Sequence, residues 1–364
     1  MKLKAITQFL EQQFPLSLQE SYDNSGLLIG NLEMKITGVL ICLDSIEKIV
    51  DEAIEKNCNL IIAHHPIIFK GLKKMTESNY IQRVVSNCIK NNIALYAIHT
   101  NLDNHFQGVN REIANRIGLK NIKILQPIEG NLSKLVVFVP KDSLKHVDEA
   151  VFAAGAGQIG NYSECHFRTE GIGTFKGNEA SNPAIGRINK RETVAEFRVE
   201  YLVSNYNLKK VISALFTAHP YEEVAYEIYP IQNSNQFEGA GMIGELESEQ
   251  DEIAFLSQLK ATFKCSVIRH TQLFGKKIKK VALCGGSGSF LLSKAIRQKA
   301  DIFITGDFKY HEFFDAEDKL IIADIGHFES EQFTTNLLAE RLKENFTNFA
   351  IHLTEHNTNP INYF

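Results

Sequence analysis

The sequence predicts an α/β protein in which two α/β halves form one metal-binding domain, interrupted by a smaller insert. Short, fully apolar strands alternate with amphipathic helices in the first third of the chain. The same alternation returns after residue 280, and between these two segments the order of predicted elements changes to β-α-β-β-α-β. Alternating strands and helices are typical of parallel sheets covered by helices, whereas the middle pattern is typical of a separate α+β unit.

The N-terminal half contains two continuous apolar runs, Leu60 to Ala63 and Ile93 to Ile98. Helical periodicity before each run places apolar residues on one helix face. Such strands indicate a mostly parallel sheet that is buried on both faces. The elements predicted here are helices over 2–14, 45–57 and 79–91 and strands over 27–30, 36–43, 60–63 and 93–98.

The C-terminal half repeats this logic. Apolar strands are again followed by polar or glycine-rich turns that open helices. The elements predicted here are strands over 280–284, 301–305, 320–324 and 349–353 and helices over 290–299, 308–317 and 326 to about 345.

The middle segment is predicted to be a ferredoxin-like insert. Its strands cover 135–139, 163–175, 193–203 and 224–229, and its helices cover 143–154 and 207–217. We therefore predict a discontinuous domain over 1–127 and 237–364 and an insert over 128–236. Pro127 and Gly239–Gly241 are the expected hinge points.

Composition excludes several classes of protein. The net charge is −4, so the composition shows no overall basic excess of the kind that marks a nucleic-acid-binding protein. One short basic run, Lys276-Lys277-Ile278-Lys279-Lys280, is interpreted as a solvated loop and strand start, with a local basic patch as the alternative. The six cysteines form no Cys-x-x-Cys pair, which predicts reduced thiols in a reducing compartment. No apolar run reaches the roughly 18 residues of a membrane span, and the N-terminus lacks the apolar core of a signal peptide. We therefore expect a cytoplasmic protein.

Candidate metal ligands stand at the ends of predicted strands. His64 and His65 follow one apolar strand, and Asp103 follows the next. Ligands gather at the carboxyl ends of strands in open α/β sheets. Adjacent strand residues point to opposite faces, so both histidines reach one centre only if the chain turns there, and Pro66 makes such a turn credible. Taken singly, the histidines also fit one core and one surface position, and Asp103 fits a helix cap.

His327 and Glu331 add a second pair after the strand over 320–324. A spacing of four puts both side chains on one helix face, where they can chelate an ion, although an exposed helix pair has the same spacing. All these strand ends are expected to open on the same edge of one sheet. Mixed nitrogen and oxygen donors favour Zn, Mn, Fe or Co over Ca. Five ligands exceed the need of one tetrahedral zinc, so we predict two divalent metal ions per chain.

A glycine-rich turn is also expected at that edge. Gly285, Gly286, Ser287 and Gly288 follow a strand and open a helix. Free backbone N–H groups there are candidates for binding an anionic group of a substrate, although a tight strand–helix turn explains the glycines equally well.

Additional histidines are candidates for supporting roles. Asp307 and His311 are four residues apart, a spacing that suits an acid/base pair. The preferred interpretation is that they orient a metal ligand or contact the substrate. His99 ends a strand and is a candidate for orienting a carboxylate or contacting substrate. In the insert, we interpret His219 as a histidine of a loop without a binding role. Binding of a metal or another ligand is the alternative.

Several motifs, in order, resemble the NGG-interacting-factor-three-like family, also named GTP cyclohydrolase I type 2 homologues. The resemblance covers nearly all of 1–127 and 237–364, and the insert resembles the CutA and PII proteins through His219-Pro220-Tyr221-Glu222-Glu223. The motifs that carry it are Tyr22-Asp23-Asn24-Ser25-Gly26-Leu27, Ala63-His64-His65-Pro66, His99-Thr100-Asn101-Leu102-Asp103, Thr305-Gly306-Asp307-Phe308-Lys309-Tyr310-His311 and Gly326-His327-Phe328-Glu329-Ser330-Glu331.

The resemblance implies a dinuclear site and a toroidal homohexamer whose sites face its interior. It implies that His65, Asp103 and Glu331 hold one ion and that His64, His327 and Glu331 hold the other. Tyr22 departs from the tryptophan common at that position, which affects packing only.

Two functions follow from these features. The first is a metal-dependent hydrolase of a nucleotide-like substrate, and on family grounds GTP, opened at its imidazole ring, is the substrate to try first. The alternative is a non-enzymatic metal-binding regulatory or scaffold ring, in which the insert senses a small molecule or partner. A ring that encloses nucleic acid is disfavoured by the net charge.

Overall fold

A computed structural model describes all residues from 1 to 364. The chain divides into two compact units. The first comprises Met1–Pro127 and Phe237–Phe364, and the second comprises Ile128–Gln236.

The regular elements alternate along the whole chain. The helices are α1 (Leu3–Gln13), α2 (Glu47–Glu55), α3 (Tyr80–Lys90), α4 (Thr100–Asp103), α5 (Val109–Arg116), α6 (Leu144–Ala153), α7 (Asn205–Ala218), α8 (Glu252–Thr262), α9 (Leu292–Arg297), α10 (His327–Glu331) and α11 (Thr334–Asn345). The strands are β1 (Gly26–Ile29), β2 (Val39–Cys42), β3 (Leu60–Ala63), β4 (Ala94–Ala97), β5 (Lys120–Ile128), β6 (Leu132–Pro140), β7 (His166–Lys176), β8 (Arg191–Ser204), β9 (Tyr226–Ile231), β10 (Asn235–Asp251), β11 (Arg269–His270), β12 (Lys277–Ser287), β13 (Ile302–Gly306), β14 (Ile321–Asp324) and β15 (Ile351–Leu353).

The first sheet of the larger unit has the strand order β1-β4-β3-β2-β15. Strands β15, β2, β3 and β4 run parallel, and every residue of β2, β3 and β4 is buried. Only β1 pairs antiparallel, at one edge. The prediction of a mostly parallel, doubly covered sheet is therefore confirmed here.

The second sheet has the order β11-β14-β13-β12-β10-β5. Its three central strands are parallel, whereas β10 and β11 pair antiparallel with β12 and β14. His64 and His65 after β3 and His327 after β14 therefore follow strands of two different sheets. The prediction that all of them open on one edge of one sheet is wrong, because the two halves form separate sheets.

Each half of the larger unit contributes an edge strand to the sheet of the other. Strand β5 comes from the N-terminal segment and joins the second sheet. Strand β15 comes from the end of the chain and pairs with β2, with Ile351 opposite Val39. The two segments are thereby joined by main-chain hydrogen bonds as well as by packing.

One apolar core lies between the two sheets. It combines side chains from both sheets with those of α1, α5, α8 and α11, including Ile41, Ile113, Ile304 and Leu338. Two smaller clusters cover the outer faces, under α2 and α3 on the first sheet and under α9 on the second. This packing fixes the two sheets relative to each other.

The second unit has the element order β-α-β-β-α-β. Its sheet has the order β7-β8-β6-β9, and all neighbouring strands are antiparallel. Helices α6 and α7 pack on one face, on side chains such as Val137, Val199 and Tyr201.

Local structure differs from expectation at two predicted helices. The segment expected as a helix over 308–317 is a 3₁₀ helix, Tyr310–Ala316. The helix expected over 326–345 is two helices, α10 and α11. The hydroxyls of Ser330 and Thr335 bind carbonyls three residues earlier around that break, and such bonds compete with regular helix geometry. No helix of the chain combines the length and apolar character needed to cross a bilayer.

Candidate metal centre

Donor atoms from both ends of the chain converge in the larger unit. His64 and His65 follow β3, Asp103 ends α4, and His327 and Glu331 begin and end α10. Their ligand atoms form two groups, each within 4.8 Å: His65 with His327 and Glu331, and His64 with Asp103 and Glu331. The five residues predicted from the sequence thus lie in one cluster with Glu331 common to both groups.

The first group is a nearly equilateral triangle. His65 Nε2 lies 3.0 Å from Glu331 Oε2 and 3.2 Å from His327 Nε2, and His327 Nε2 lies 3.1 Å from the same oxygen. A tetrahedral zinc with bonds of about 2.0–2.1 Å separates its ligand atoms by about 3.3–3.4 Å. The triangle therefore has the size of one face of a metal coordination shell.

The second group contains buried polar atoms without hydrogen-bond partners. His64 is fully buried, and its Nε2 lies 3.6 Å from Asp103 Oδ1 and 3.8 Å from Glu331 Oε2. Neither His64 Nε2 nor Asp103 Oδ1 has a partner. Buried polar atoms are normally satisfied, so these two orphaned acceptors fit a cation between them.

These groups differ from the ligand sets implied by the family resemblance. That resemblance puts His65 with Asp103 and His64 with His327, whereas the structure pairs His64 with Asp103 and His65 with His327. The two imidazole rings lie with their centroids 5.0 Å apart and their planes tilted by 47°.

Each inward-facing imidazole is held by an acceptor at its other nitrogen. His64 Nδ1 donates to the Ile98 carbonyl at 2.8 Å. His65 Nδ1 bonds to Asp44 and His327 Nδ1 bonds to Asp307, both at 2.7 Å. Such partners fix the tautomer and leave Nε2 for a metal, an arrangement that metal-binding histidines almost always show.

His99 is held in the same manner, by a 2.8 Å bond from Nδ1 to Asp23. Asp23 also accepts from the backbone and hydroxyl of Thr100. The His99 ring packs edge-on against the rings of His64 and His65, and a ligand atom of His99 lies within 4.8 Å of ligand atoms of both, so these three histidines form a third donor group.

The protonation of each group in the cluster depends on the charges of its neighbours. Burial alone lowers the pKa of His65, but hydrogen bonds to Asp44 and Glu331 outweigh it and raise that pKa to about 10. Burial likewise lowers the pKa of His327, but the Glu331 charge and the Asp307 hydrogen bond raise it to about 11. Burial lowers the pKa of His64, which favours a neutral imidazole.

The two carboxylates respond in opposite directions. Burial raises the pKa of Asp103 well above its usual value, and the Glu331 charge raises it further. Burial also opposes ionisation of Glu331, but the charge of His327 and its hydrogen bond hold the pKa of Glu331 well below the usual value. A cation at the centre would stabilise both carboxylates in their charged forms.

The glycine-rich turn has a different role from the one expected. Gly285 N–H donates to Asn110 Oδ1 and Gly286 N–H donates to Ser330 Oγ, both at 2.9 Å. The expectation that these two groups are free to bind an anion is therefore wrong. Gly286 has φ +60°, and a Cβ there would overlap the Glu331 carboxylate. Ser287 pairs with Gly306 across β12 and β13, and Gly288 precedes a short 3₁₀ helix.

Not every predicted residue joins the cluster. His311 is exposed and packs against the rings of Tyr310 and Phe314, whereas Asp307 contacts His327 directly. The expected pairing of Asp307 with His311 is replaced by pairing of Asp307 with His327. His219 lies in the second unit.

Sequence reasoning missed Asp44 and Thr358. Asp44 stands two residues after β2, the same strand-end position that singled out Asp103. Thr358 donates to Asp44 at 2.7 Å from near the end of the chain, and no local pattern indicates that contact.

A pocket of about 1140 Å³ opens in front of the cluster. Its lining includes exposed aromatic side chains, among them Tyr22, Phe69 and Phe290. Five carboxylates, three histidines and one lysine, Lys70, also line it. His65, Asp103, His327 and Glu331 line this pocket whereas His64 is fully buried, so a molecule of metabolite size can approach four of the five predicted ligands.

Fold and site together define a class of two-sheet α/β proteins with a histidine- and carboxylate-rich cluster that can hold a metal ion. The chain belongs to the family described as Duf34/NIF3 (NGG1p interacting factor 3), whose sequence profile matches residues 1–360.

Relatives and solved structures agree with this assignment. A Halalkalibacterium halodurans protein named GTP cyclohydrolase 1 type 2 homolog is 42% identical over 326 residues, which cover 89% of this chain and 88% of that protein. A Bacillus subtilis protein of the same name is 38% identical over 363 residues, which cover 98% of this chain and 97% of that protein. The crystal structure of a Bacillus cereus protein related to NIF3 superposes with a TM-score of 0.89 at 37% identity, covering 100% of this chain and 99% of that one. A Staphylococcus aureus structure gives a TM-score of 0.78 at 31% identity, with the same coverage.

Proposed function

We propose that this chain is a dinuclear metal-dependent hydrolase acting on a nucleotide-like substrate. The observation that carries the proposal is the pair of donor groups that share Glu331. His65, His327 and Glu331 would hold one divalent ion, and His64, Asp103 and Glu331 the other. The orphaned His64 Nε2 and Asp103 Oδ1 support this fit, since both are acceptors aimed at the same centre.

When bound, such a pair of ions lowers the pKa of coordinated water and neutralises charge that develops on the substrate. Other side chains of the protein hold the metal-binding imidazoles in place. Asp44 and Asp307 hold the imidazoles of His65 and His327, which fixes the ring orientations before substrate arrives. His99, oriented by Asp23 and lining the pocket, is placed to exchange a proton with a bound molecule.

The pocket also supports the substrate class. Phe69 and Phe290 are 49% and 59% exposed at its wall, so they offer faces on which a planar heterocycle can stack. Two divalent ions together with Lys70 would supply five positive charges against the five lining carboxylates. The loaded site would therefore be close to neutral, which favours contact with the base of a nucleotide-like substrate.

The openness of the site favours the first of the two functions that the sequence predicts. Structural metal sites are usually closed off by protein ligands, whereas catalytic sites keep an open position. Here a pocket of about 1140 Å³ reaches the donor atoms, so a substrate can approach them. We therefore favour hydrolysis, with opening of a purine ring carbon–nitrogen bond, as in GTP, as the first reaction to test.

The decisive experiment combines metal analysis with a hydrolysis screen. Protein loaded with Zn, Mn, Fe or Co is expected to bind two ions per chain and to hydrolyse at least one purine base, nucleoside or nucleotide. Glu331→Gln removes the shared charge and is expected to lose at least one ion and the activity. Glu340→Gln, an exposed carboxylate on α11, is the matched control and should behave as wild type. Unchanged metal content and activity in Glu331→Gln would contradict the proposal.

The family resemblance also supports a ring-shaped homohexamer in the cytoplasm. Sedimentation velocity at micromolar concentration tests the assembly. We expect the mass of six 41.0 kDa chains, and a monomer or dimer would refute it.

A further inference from the structure

The second unit contains a cavity of its own, with a volume of about 580 Å³. It lies on the sheet face opposite the helices. Phe197 and Val199 of β8 pack toward α6 and α7, so the alternating residues Glu196 and Arg198 point to the other face, where they line the cavity.

Glu196 is the chemically distinctive residue of this cavity. It is only 8% exposed, yet no lysine, arginine or histidine nitrogen lies within 4.0 Å of its carboxylate. Two neighbouring charges are already engaged, since Arg198 pairs with Glu200 and Glu170 pairs with Lys141 at 2.9 Å. Lys176, Glu222 and Glu223 also line the cavity. A buried carboxylate without a cationic partner is costly, and a positive charge beside it would stabilise it.

A relay of hydrogen bonds holds this carboxylate in place. His219 Nε2 donates to the Phe138 carbonyl at 3.0 Å, so its Nδ1 is free to accept from the Tyr221 N–H at 3.2 Å. The Tyr221 hydroxyl then donates to Glu196 Oε1 at 2.8 Å. The His-Pro-Tyr segment singled out in the sequence is thereby explained, because it orients one acid toward the cavity.

Two glycines leave space around that acid. Gly171 lies opposite Glu196 in the β7–β8 ladder, and Gly173 follows it on the same face. A Cβ at Gly173 would overlap the Glu196 carboxylate. Neither glycine has a positive φ, so the backbone does not require them. Glycine inside a strand marks a place where another group approaches closely.

The rest of the wall combines polar and charged side chains, among them Lys176 and Glu222, with an apolar and aromatic part. Phe138, Ile172, Phe175 and Ile185 line the cavity beside Glu196 and Tyr221. An aromatic wall next to a carboxylate attracts a cation through both the charge and the ring faces.

We infer that this cavity is a binding site for a small organic cation, namely an amine whose ammonium group pairs with Glu196 and whose apolar body packs on Phe138 and Phe175. The site is separate from the metal cluster and does not depend on the proposed hydrolase activity.

Calorimetric titration of the full chain with three matched probes tests this inference. 2-Phenylethylamine, 2-phenylethanol and 3-phenylpropanoate share a ring and differ in charge. We expect the amine to bind at least about tenfold more tightly than the alcohol, because a hydrogen bond to a charged group contributes roughly 1.5–3 kcal/mol. The acid is expected not to bind.

Variants locate the binding. Glu196→Gln keeps an oxygen for the Tyr221 hydroxyl but removes the charge, and it should lose the preference for the amine while melting within a few degrees of wild type. Glu149→Gln, an exposed carboxylate of α6 outside the cavity, should bind as wild type. Glu331→Gln should also bind as wild type, which excludes coordination of the amine to metal.

Four outcomes would overturn the inference. They are equal affinity for amine and alcohol, undiminished amine binding by Glu196→Gln, loss of amine binding in Glu331→Gln, and no detectable amine binding at millimolar concentration.

Discussion

Replacing Gly286 by alanine tests whether the turn after β12 exists to let Glu331 reach the metal centre. Gly286 has φ +60°, and a Cβ placed there would lie 3.3 Å from His327 Cε1 and overlap the Glu331 carboxylate. The positive φ alone costs alanine about 1–2 kcal/mol. At roughly 2–4 °C per kcal/mol for a unit of this size, that predicts a melting temperature about 2–8 °C lower. Displacement of the shared ligand should in addition weaken metal binding by at least about 10–100-fold.

A matched glycine separates the two effects. Gly118 has φ +76° and open space around its Cβ position, so Gly118→Ala carries the backbone penalty without the overlap. In chelator-treated protein Gly118→Ala should lose the few degrees of the backbone penalty, and Gly286→Ala at least as many because of the added overlap. Only Gly286→Ala should lose bound metal, measured by elemental analysis after dialysis against competing chelator. Equal metal content in the two variants would refute this account of the turn.

Three further predictions concern the same unit. Asp44→Asn removes the anionic partner of His65 Nδ1 and should weaken metal binding about 10–100-fold with the fold intact, as measured by competition with a metallochromic dye. If two ions bind, each at a hundred times its Kd, they contribute about 2.7 kcal/mol apiece, or about 5.4 kcal/mol together. Removing both with chelator should therefore lower the wild-type melting temperature by about 11–22 °C. Glu331→Gln should respond less, and an equal response in both proteins would contradict shared ligation. Burial alone raises the pKa of Glu52, but hydrogen bonds from Lys56, Thr354 and the Glu355 N–H outweigh it and lower that pKa. Its stabilisation is therefore present above the usual carboxyl pKa of about 4.3 and is lost as pH falls through the lower folded-state value, so the melting temperatures of wild type and Glu52→Gln should differ at pH 6 and converge near pH 3. A difference that grows toward low pH would contradict this sign.

The sequence predicted the residues of the cluster better than the architecture that assembles it. Apolar strands that end in His64-His65 or precede Asp103 are local signals, and strand-end position alone places such groups at a ligand-binding edge. The pairing of whole strands is not local. Nothing in the run Val39 to Cys42 indicates that its partner at the sheet edge begins at Ile351. Likewise, nothing in the individual strands of the two halves indicates that they form two sheets instead of one.

Supporting contacts were predicted least well. Asp44 follows a strand as Asp103 does, and the same reasoning applied to β2 would have found it. For the glycines of the turn, the sequence leaves anion binding and a tight strand–helix turn open, because a glycine pattern does not distinguish a free N–H from one that donates to Asn110 or Ser330. That distinction depends on side chains distant in sequence, which only the folded structure brings together.

The exchange of edge strands has a consequence for biosynthesis. Strand β2 emerges early from the ribosome, but β15, which covers its edge, is among the last segments to be made. At about 5–20 residues per second the wait is on the order of tens of seconds. During that interval a fully apolar strand presents unpaired main-chain groups, the kind of edge on which nascent chains associate with one another. A chain that stops before Ile351 never closes that edge, so premature termination near the end should yield aggregates that chaperones must hold, rather than a slightly shortened soluble protein.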